Sequence, residues 1–199
     1  MILRAKKDVV FGNRKLPKTT AIFNICSAHD CPSKRLGLCQ VINAGHRCYA
    51  ERTENFYPGP LGFRRRQERL WDSLSADEFG DAFVALVQRR ESKGRKTLAF
   101  RLNESGDFRS QADVAKAAKI ARIALKRAGV RMYCYTARSD LDFSEVGPMV
   151  VCGSGFKVHG EFKFVQTLND VPKGYGVCPG SCRTCGRCLR GKLTCVLPH

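Results

Sequence analysis

The sequence predicts an α/β fold: a small, mostly parallel sheet with crossover helices, completed by a C-terminal cysteine-rich metal-binding segment. Three observations predict it. Short apolar runs of strand length alternate with longer segments of helical period. One of those helices lies directly between two strand candidates, which is the pattern of a βαβ unit with parallel strands. The last 22 residues hold four closely spaced cysteines, Cys178, Cys182, Cys185 and Cys188.

Taken in order, Thr20 to Ile25 is a first short strand. Cys26 to Ala50 reads as a cysteine-bearing loop, broken by Pro32, Gly37 and Gly45. Arg64 to Ser73 is a basic helix. Ser75 with Glu78 three residues on forms a capping box. The helix it opens carries Phe79, Phe83, Leu86 and Val87 on one face and ends near Gly94. Thr97 to Leu102 is a buried strand, followed by a turn at Gly106-Asp107-Phe108. Ser110 and Asp113 open a helix that runs to Ala128 and stops at Gly129. Its buried side is Val114, Ala117, Ala118, Ala121, Ala124 and Leu125. Val130 to Thr136, Pro148 to Cys152 and Glu161 to Thr167 are further strands. The chain divides into an α/β domain over 1–170 and a terminal cysteine segment over 171–199, packed together as one structural unit.

No run of about 18 apolar residues suits a membrane span, and Met1 to Lys7 lacks the apolar stretch of a signal peptide. The expected setting is therefore the cytoplasm of a host cell, where thiols stay reduced. Eleven cysteines in 199 residues then point to metal rather than disulfides. The net charge of +17 points to a polyanionic partner, nucleic acid first. Arg64, Arg65, Arg66 and Arg69 form the densest basic run, followed by Arg89, Arg90, Lys93, Arg95 and Lys96. The plain reading of such a run is a solvated helix face.

The terminal cysteines are separated by three, two and two residues, with Gly180 and Gly186 free to turn the backbone between them. From Val171 onward there is no acid, and there are five bases. Nearby cations lower thiol pKa values and offset thiolate charge. Structural zinc usually takes two separated pairs of ligands, whereas four thiolates this compact resemble the runs that bind iron–sulfur cubanes. Zinc stays the second choice. Cys195 reads as a packed thiol, and Cys134 and Cys152 as buried strand thiols.

A looser set, Cys26, Cys31, Cys39 and Cys48, follows the first strand. Arg101 to Phe108 and Tyr135 to Ser139 follow two others. All three groups therefore converge at the carboxyl ends of parallel strands, where open sheets bind ligands. Each has a structural reading as well: Asp107 as a helix cap, Tyr135 and Thr136 as strand residues, Arg138 as a surface charge. His29, His46, His159 and His199 show no ligand spacing, although His29 and His46 flank cysteines.

Phe23-Asn24-Ile25, Cys31-Pro32, Cys39, Cys48-Tyr49-Ala50, Arg101 with Ser105-Gly106-Asp107-Phe108, Tyr135-Thr136-Ala137-Arg138-Ser139 and the terminal cysteines together resemble the phage and plasmid "gene product 88" family. Its cysteine loop is similar to the cluster loop of radical S-adenosylmethionine (SAM) proteins, which place three cysteines after the first strand of a partial (β/α) barrel. Here the gaps are seven and eight residues where those enzymes have three and two, and the aromatic Tyr49 follows the last cysteine. The resemblance implies an iron–sulfur protein of a mobile element. Cys31, Cys39 and Cys48 would hold a [4Fe-4S] cluster, and Cys178, Cys182, Cys185 and Cys188 an auxiliary one. With SAM as cofactor, Asn103, Asp107 and Arg138 would act on the ligand, while Ser105, Gly106, Tyr135 and Ser139 would line its pocket. An electron donor is then a further expected partner. Two other readings are a basic nucleic-acid-binding protein and an interaction protein, each braced by structural iron–sulfur or zinc.

Overall fold

The computed structural model describes residues 2–197. Met1 and His199 lie outside them. Eight strands form one sheet in the order β1-β2-β3-β4-β5-β6-β8-β7. They are β1 (Val10–Phe11), β2 (Thr20–Phe23), β3 (Ala99–Leu102), β4 (Arg131–Thr136), β5 (Val150–Ser154), β6 (Gly160–Phe164), β7 (Gly176–Val177) and β8 (Thr194–Val196). Only β1 runs antiparallel to its neighbour. The α/β class and the parallel sheet are as the sequence predicts. The sheet is larger than expected, because β1, β7 and β8 have two or three residues each and show no period of their own. Strands β2 to β6 follow one another without reversal. That is the order of a (β/α) barrel wall, and a doubly wound sheet would reverse at a switch point.

Six helices accompany the sheet: α1 (Pro32–Arg35), α2 (Gln40–Asn43), α3 (Tyr49–Phe56), α4 (Pro60–Ser73), α5 (Ala76–Glu91) and α6 (Gln111–Ala128). The first three occupy the segment expected to be loop. Their brevity and the breakers between them hide them from periodicity. Helix α5 starts on the predicted capping box: the Glu78 amide donates to Ser75 Oγ (3.2 Å) and the Ser75 amide to Glu78 Oε2 (2.8 Å). Helix α6 ends on Gly129, whose φ of 64° suits a residue without a Cβ. The two helices pack closely, since a Cβ on Gly80 of α5 would stand 2.7 Å from Ile123 of α6.

Strand alternation gives the sheet two unlike faces. Ala21, Phe23, Phe100, Leu102, Met132, Cys134 and Val151 join α5 and α6 in the main core. Phe83 stacks on Phe100 at 4.4 Å, and Phe79 meets both Phe23 and Trp71. Each such pair adds about 1 kcal/mol beyond the burial itself. The other face carries Ile22, Arg101, Tyr133 and Val150 in one register row, with Tyr135, Cys152 and Gly160 in the next. The terminal cysteine segment covers this second face. Its 3-10 turn at Cys188–Arg190 packs against β4, β5 and β6. Strand β8 then extends the sheet beyond β6, so the segment belongs to the same sheet.

Candidate metal centre

Cys31, Cys39 and Cys48 begin α1, α2 and α3 in turn, each standing at the N-cap. Each is fastened to the sheet through a residue just after it. Ser33 donates from its hydroxyl to Asp107 (2.6 Å), in the loop after β3. Gln40 donates to Ser154 Oγ (2.8 Å) and to the Phe162 carbonyl (2.7 Å), and accepts from the Phe164 amide (3.1 Å), bridging β5 and β6. Tyr49 donates to the Glu104 carbonyl (2.5 Å). Lys34 and Glu51 then tie α1 to α3. Three cysteines with seven and eight residues between them thereby stand along one edge of the sheet, with Cys39 within electrostatic reach of both others.

The loops beneath them are knit by buried polar groups. Asn24 accepts from the amides of Glu104 and Ser105 (2.7 and 2.8 Å) and donates to Gln67 (2.8 Å). Glu54, paired with Arg64 at 2.7 Å, also accepts from the amides of Ala28 and His29 and from the Ser105 hydroxyl. Gly106 has φ 71°, and a Cβ there would lie 2.3 Å from the Cys26 sulfur. The Asp107 amide donates to that sulfur (3.3 Å). The sequence reads Arg64 only as part of a basic run and Asn24 only as part of the Phe23-Asn24-Ile25 motif, and gives no sign of Glu54 or Gln67; Arg64 is buried against Glu54, and Asn24 meets Gln67 and Glu104, 43 and 80 residues away.

The predicted site residues divide into two groups. Asp107 is buried and saturated: Ser33, the Ala137 amide (2.7 Å) and the Phe108 amide (2.8 Å) all donate to it. Burial pushes its carboxyl up, and these donors pull it back. Arg138 spends its fork on Asp140 (2.7 Å twice) and on the Phe108 carbonyl. Ser105 is engaged by Glu54, and Ser139 is exposed. Asn103 differs. It is 4% exposed, its φ is 60°, and its Oδ1 accepts from the Ile25 amide (3.2 Å) while its Nδ2 has no partner among the described residues. A buried side chain in a left-handed conformation with an unused donor is the kind of strain that accompanies ligand sites. Tyr135 stands apart from that loop on the second face, edge-on to Phe162 and beneath the Arg101 guanidinium (4.9 Å).

The terminal group lies on that second face. Cys182 is within electrostatic reach of Cys178, Cys185 and Cys188, and its amide donates to the Lys15 carbonyl (2.9 Å). Cys152, expected only as a packed thiol, donates to the Cys188 carbonyl (3.4 Å). Hydrogen bonding from Cys152 draws the Cys188 thiol down to about 6; burial opposes this, and Tyr135, Thr194 and the Arg101 charge add to it. Burial instead pushes Cys31 up to about 12, against the amides of Lys34 and Ser33, and raises Cys26 and Cys48 as well. All eleven cysteines are free thiols. Among the described residues no three His, Cys, Asp or Glu side chains are drawn together as for a single metal ion. Sulfurs on one tetrahedral zinc would stand about 3.8 Å apart, given Zn–S bonds of about 2.3 Å.

The basic run on α4 is largely engaged. Arg64 pairs with Glu54, Arg65 with Asp30 and Arg66 with Asp8. Arg90 lies over the Phe11 ring at 3.5 Å. No helix among the described residues is long and apolar enough to cross a membrane.

A mostly parallel α/β sheet with a cysteine-bearing loop at its carboxyl edge and a second cysteine group on the face opposite α5 and α6 defines a cysteine-rich α/β protein with its candidate site at the strand ends. The family model described as gene product 88 matches residues 3–151, and the chain belongs to that family. The match takes in Cys31, Cys39, Cys48, Asn103, Asp107 and Arg138. It ends before Cys152, so the terminal cysteines, counted above among the resembling motifs, lie beyond it. Neither a curated protein nor a solved structure matches the chain.

Proposed function

We propose that the chain is an iron–sulfur protein of a mobile genetic element, with one cluster held by Cys31, Cys39 and Cys48 and a second by Cys178, Cys182, Cys185 and Cys188. One observation carries the reading. Each N-terminal cysteine is bolted to a strand end by its own neighbour, Ser33, Gln40 or Tyr49, although nothing in the sequence spacing alone would bring the three together. Four thiolates separated by three, two and two residues suit a cubane better than the two separated ligand pairs usual for structural zinc. Three ligands on a cubane leave one iron open to a small molecule, and SAM is the candidate there. When bound, such a cluster supplies one-electron chemistry. The chain's own contribution is to hold its ligands and position a guest. Asn103 has the free buried donor for that role, whereas Asp107 and Arg138 brace the loops around it. The nucleic-acid reading rests on net charge, and the engaged arginines of α4 leave it less to grip with.

The test is iron and sulfide analysis of anaerobically purified protein, with its visible spectrum. Cys48→Ser and Cys185→Ser should each remove about half of the iron, because ligand loss at one of two sites spares the other. Protein without iron, or a single variant that strips all of it from a chain that stays folded, would defeat the two-cluster reading. Adding SAM to the reduced protein and following its spectrum and 5′-deoxyadenosine release tests the open iron separately.

A further inference from the structure

We infer that the cleft between the β1–β2 loop and the terminal segment binds single-stranded nucleic acid, with Lys18 and Arg183 holding its phosphates. The inference goes beyond the cluster reading and uses no cysteine side chain. The cleft is a cavity of about 480 Å³ with Phe11, Leu16 and Pro17 along its apolar wall. Lys18 and Arg183 line it too, from opposite ends of the sequence. Both are exposed, as are Arg14 and Lys15 of the same loop. Among the described residues none of these four cations makes an ion pair. Backbone bonds fix the two walls. Asn13 Oδ1 accepts from the amides of Lys15 (2.8 Å) and Leu16 (2.7 Å), and the Cys182 amide donates to the Lys15 carbonyl (2.9 Å). Arg90 lies over the Phe11 ring and donates to the Lys18 carbonyl (3.3 Å).

On the helices, exposed cations meet acids: Lys119 meets Asp77, Arg127 meets Asp81 and Arg65 meets Asp30. The α4 arginines are spent in this way, so a grip on a polyanion falls to the cleft. Cations held together without acids repel, and a bound anion relieves the repulsion. One acid is tied to the wall: Glu104, through Asn13. Its single charge lessens the excess of the four cations without cancelling it. The chain as a whole carries +17, so its field draws in a polyanion before a small anion. Single-stranded nucleic acid matches both parts of the lining. Its phosphates suit Lys18 and Arg183, and its unstacked bases suit an apolar wall that includes a ring. A duplex keeps its bases inside and offers that wall nothing.

The experiment follows the fluorescence anisotropy of a labelled oligothymidine of about 12 nucleotides, a usual site size for such binding, titrated with anaerobically purified protein. Wild type should bind at about 50 mM salt and weaken linearly on logarithmic axes as salt rises. Lys18→Gln combined with Arg183→Gln should weaken binding at least about tenfold and take about 1.4 from the salt slope, about 0.7 for each phosphate released. Both side chains are exposed, and the Arg90 bond goes to the Lys18 backbone, so the fold should stand, as an unchanged urea midpoint would check. Either single variant should show about half of that slope change, so a misfolded pair still leaves the cleft tested. Lys18→Arg with Arg183→Lys keeps both charges and should bind as wild type does. Lys119→Gln with Arg127→Gln removes the same charge from α6 and should change affinity by no more than about twofold. Three results would each overturn the inference: no binding by wild type at low salt, an equal loss in the α6 variant, or a duplex of the same length bound as tightly as the single strand.

Discussion

At the scale of single residues, the strand-end motifs are scaffold before they are chemistry. Asp107 invites a catalytic role because a carboxylate follows a strand end in a cysteine-rich site. Its surroundings give it a mechanical one: one buried carboxylate receives the Ser33 hydroxyl from the cysteine loop, the Ala137 amide from beyond β4, and its own neighbour Phe108. Asp107→Ala therefore leaves two peptide N–H groups and a hydroxyl unpaired in the interior. At about 1–3 kcal/mol for each unmet group, less the relief of no longer burying a charge, the loss should be on the order of 3 kcal/mol. Urea denaturation at constant m-value measures it. A variant as stable as wild type would return Asp107 to the list of groups free to act on a ligand. Asn103 reverses the case: an amide seen in the sequence as one of several polar residues has a buried donor without a partner among the described residues.

At the scale of elements, legibility followed length and locality. The capping box at Ser75 and the stop at Gly129 were readable because both are written within four residues of chain. Ser75→Ala should lower stability by about 1 kcal/mol, read as a shift in the urea midpoint, and leave iron content unchanged, since α5 packs on the opposite face from the terminal cysteines. Loss of iron in that variant would mean that the two faces are coupled. Helices α1, α2 and α3 were not legible. They have four, four and eight residues, and what holds them is contacts such as Gln40 to β5 and β6, more than a hundred residues away in sequence. The same holds for β7 and β8, whose pairing depends on where the cysteine segment returns. Convergence of polar groups at the sheet edge was legible, because it follows from parallel strands alone. The unpartnered Nε of the half-buried Arg101 was not, since its surroundings among the described residues are visible only in three dimensions.

At the scale of the whole molecule, the charge balance decides behaviour in acid. The chain holds 35 Lys and Arg against 18 Asp and Glu, so each carboxylate lost raises an already positive charge. Asp8, Glu54 and Asp113 are buried acids whose hydrogen bonds outweigh burial, so their pKa values in the folded chain lie below the ordinary 3.8 or 4.5. The stability they add is fully present above those ordinary values and is lost as pH falls through the lowered ones. Glu68 and Asp107 are raised by burial and run the other way, regaining stability above the ordinary range as they bind protons. Asp113 isolates the first effect. It accepts from Trp71 Nε1 (2.7 Å) and from Arg109 (2.9 Å), on the helix side of the sheet and away from the cysteines. Asp113→Asn should cost about 2 kcal/mol at pH 7, the usual worth of hydrogen bonds to a charged group. The gap between wild type and variant should then narrow steadily as pH falls below about 4. Urea denaturation of both proteins between pH 7 and pH 3 measures it, and a gap as wide at pH 3 as at pH 7 would show that the carboxylate charge is not what fastens Trp71 and Arg109 to α6.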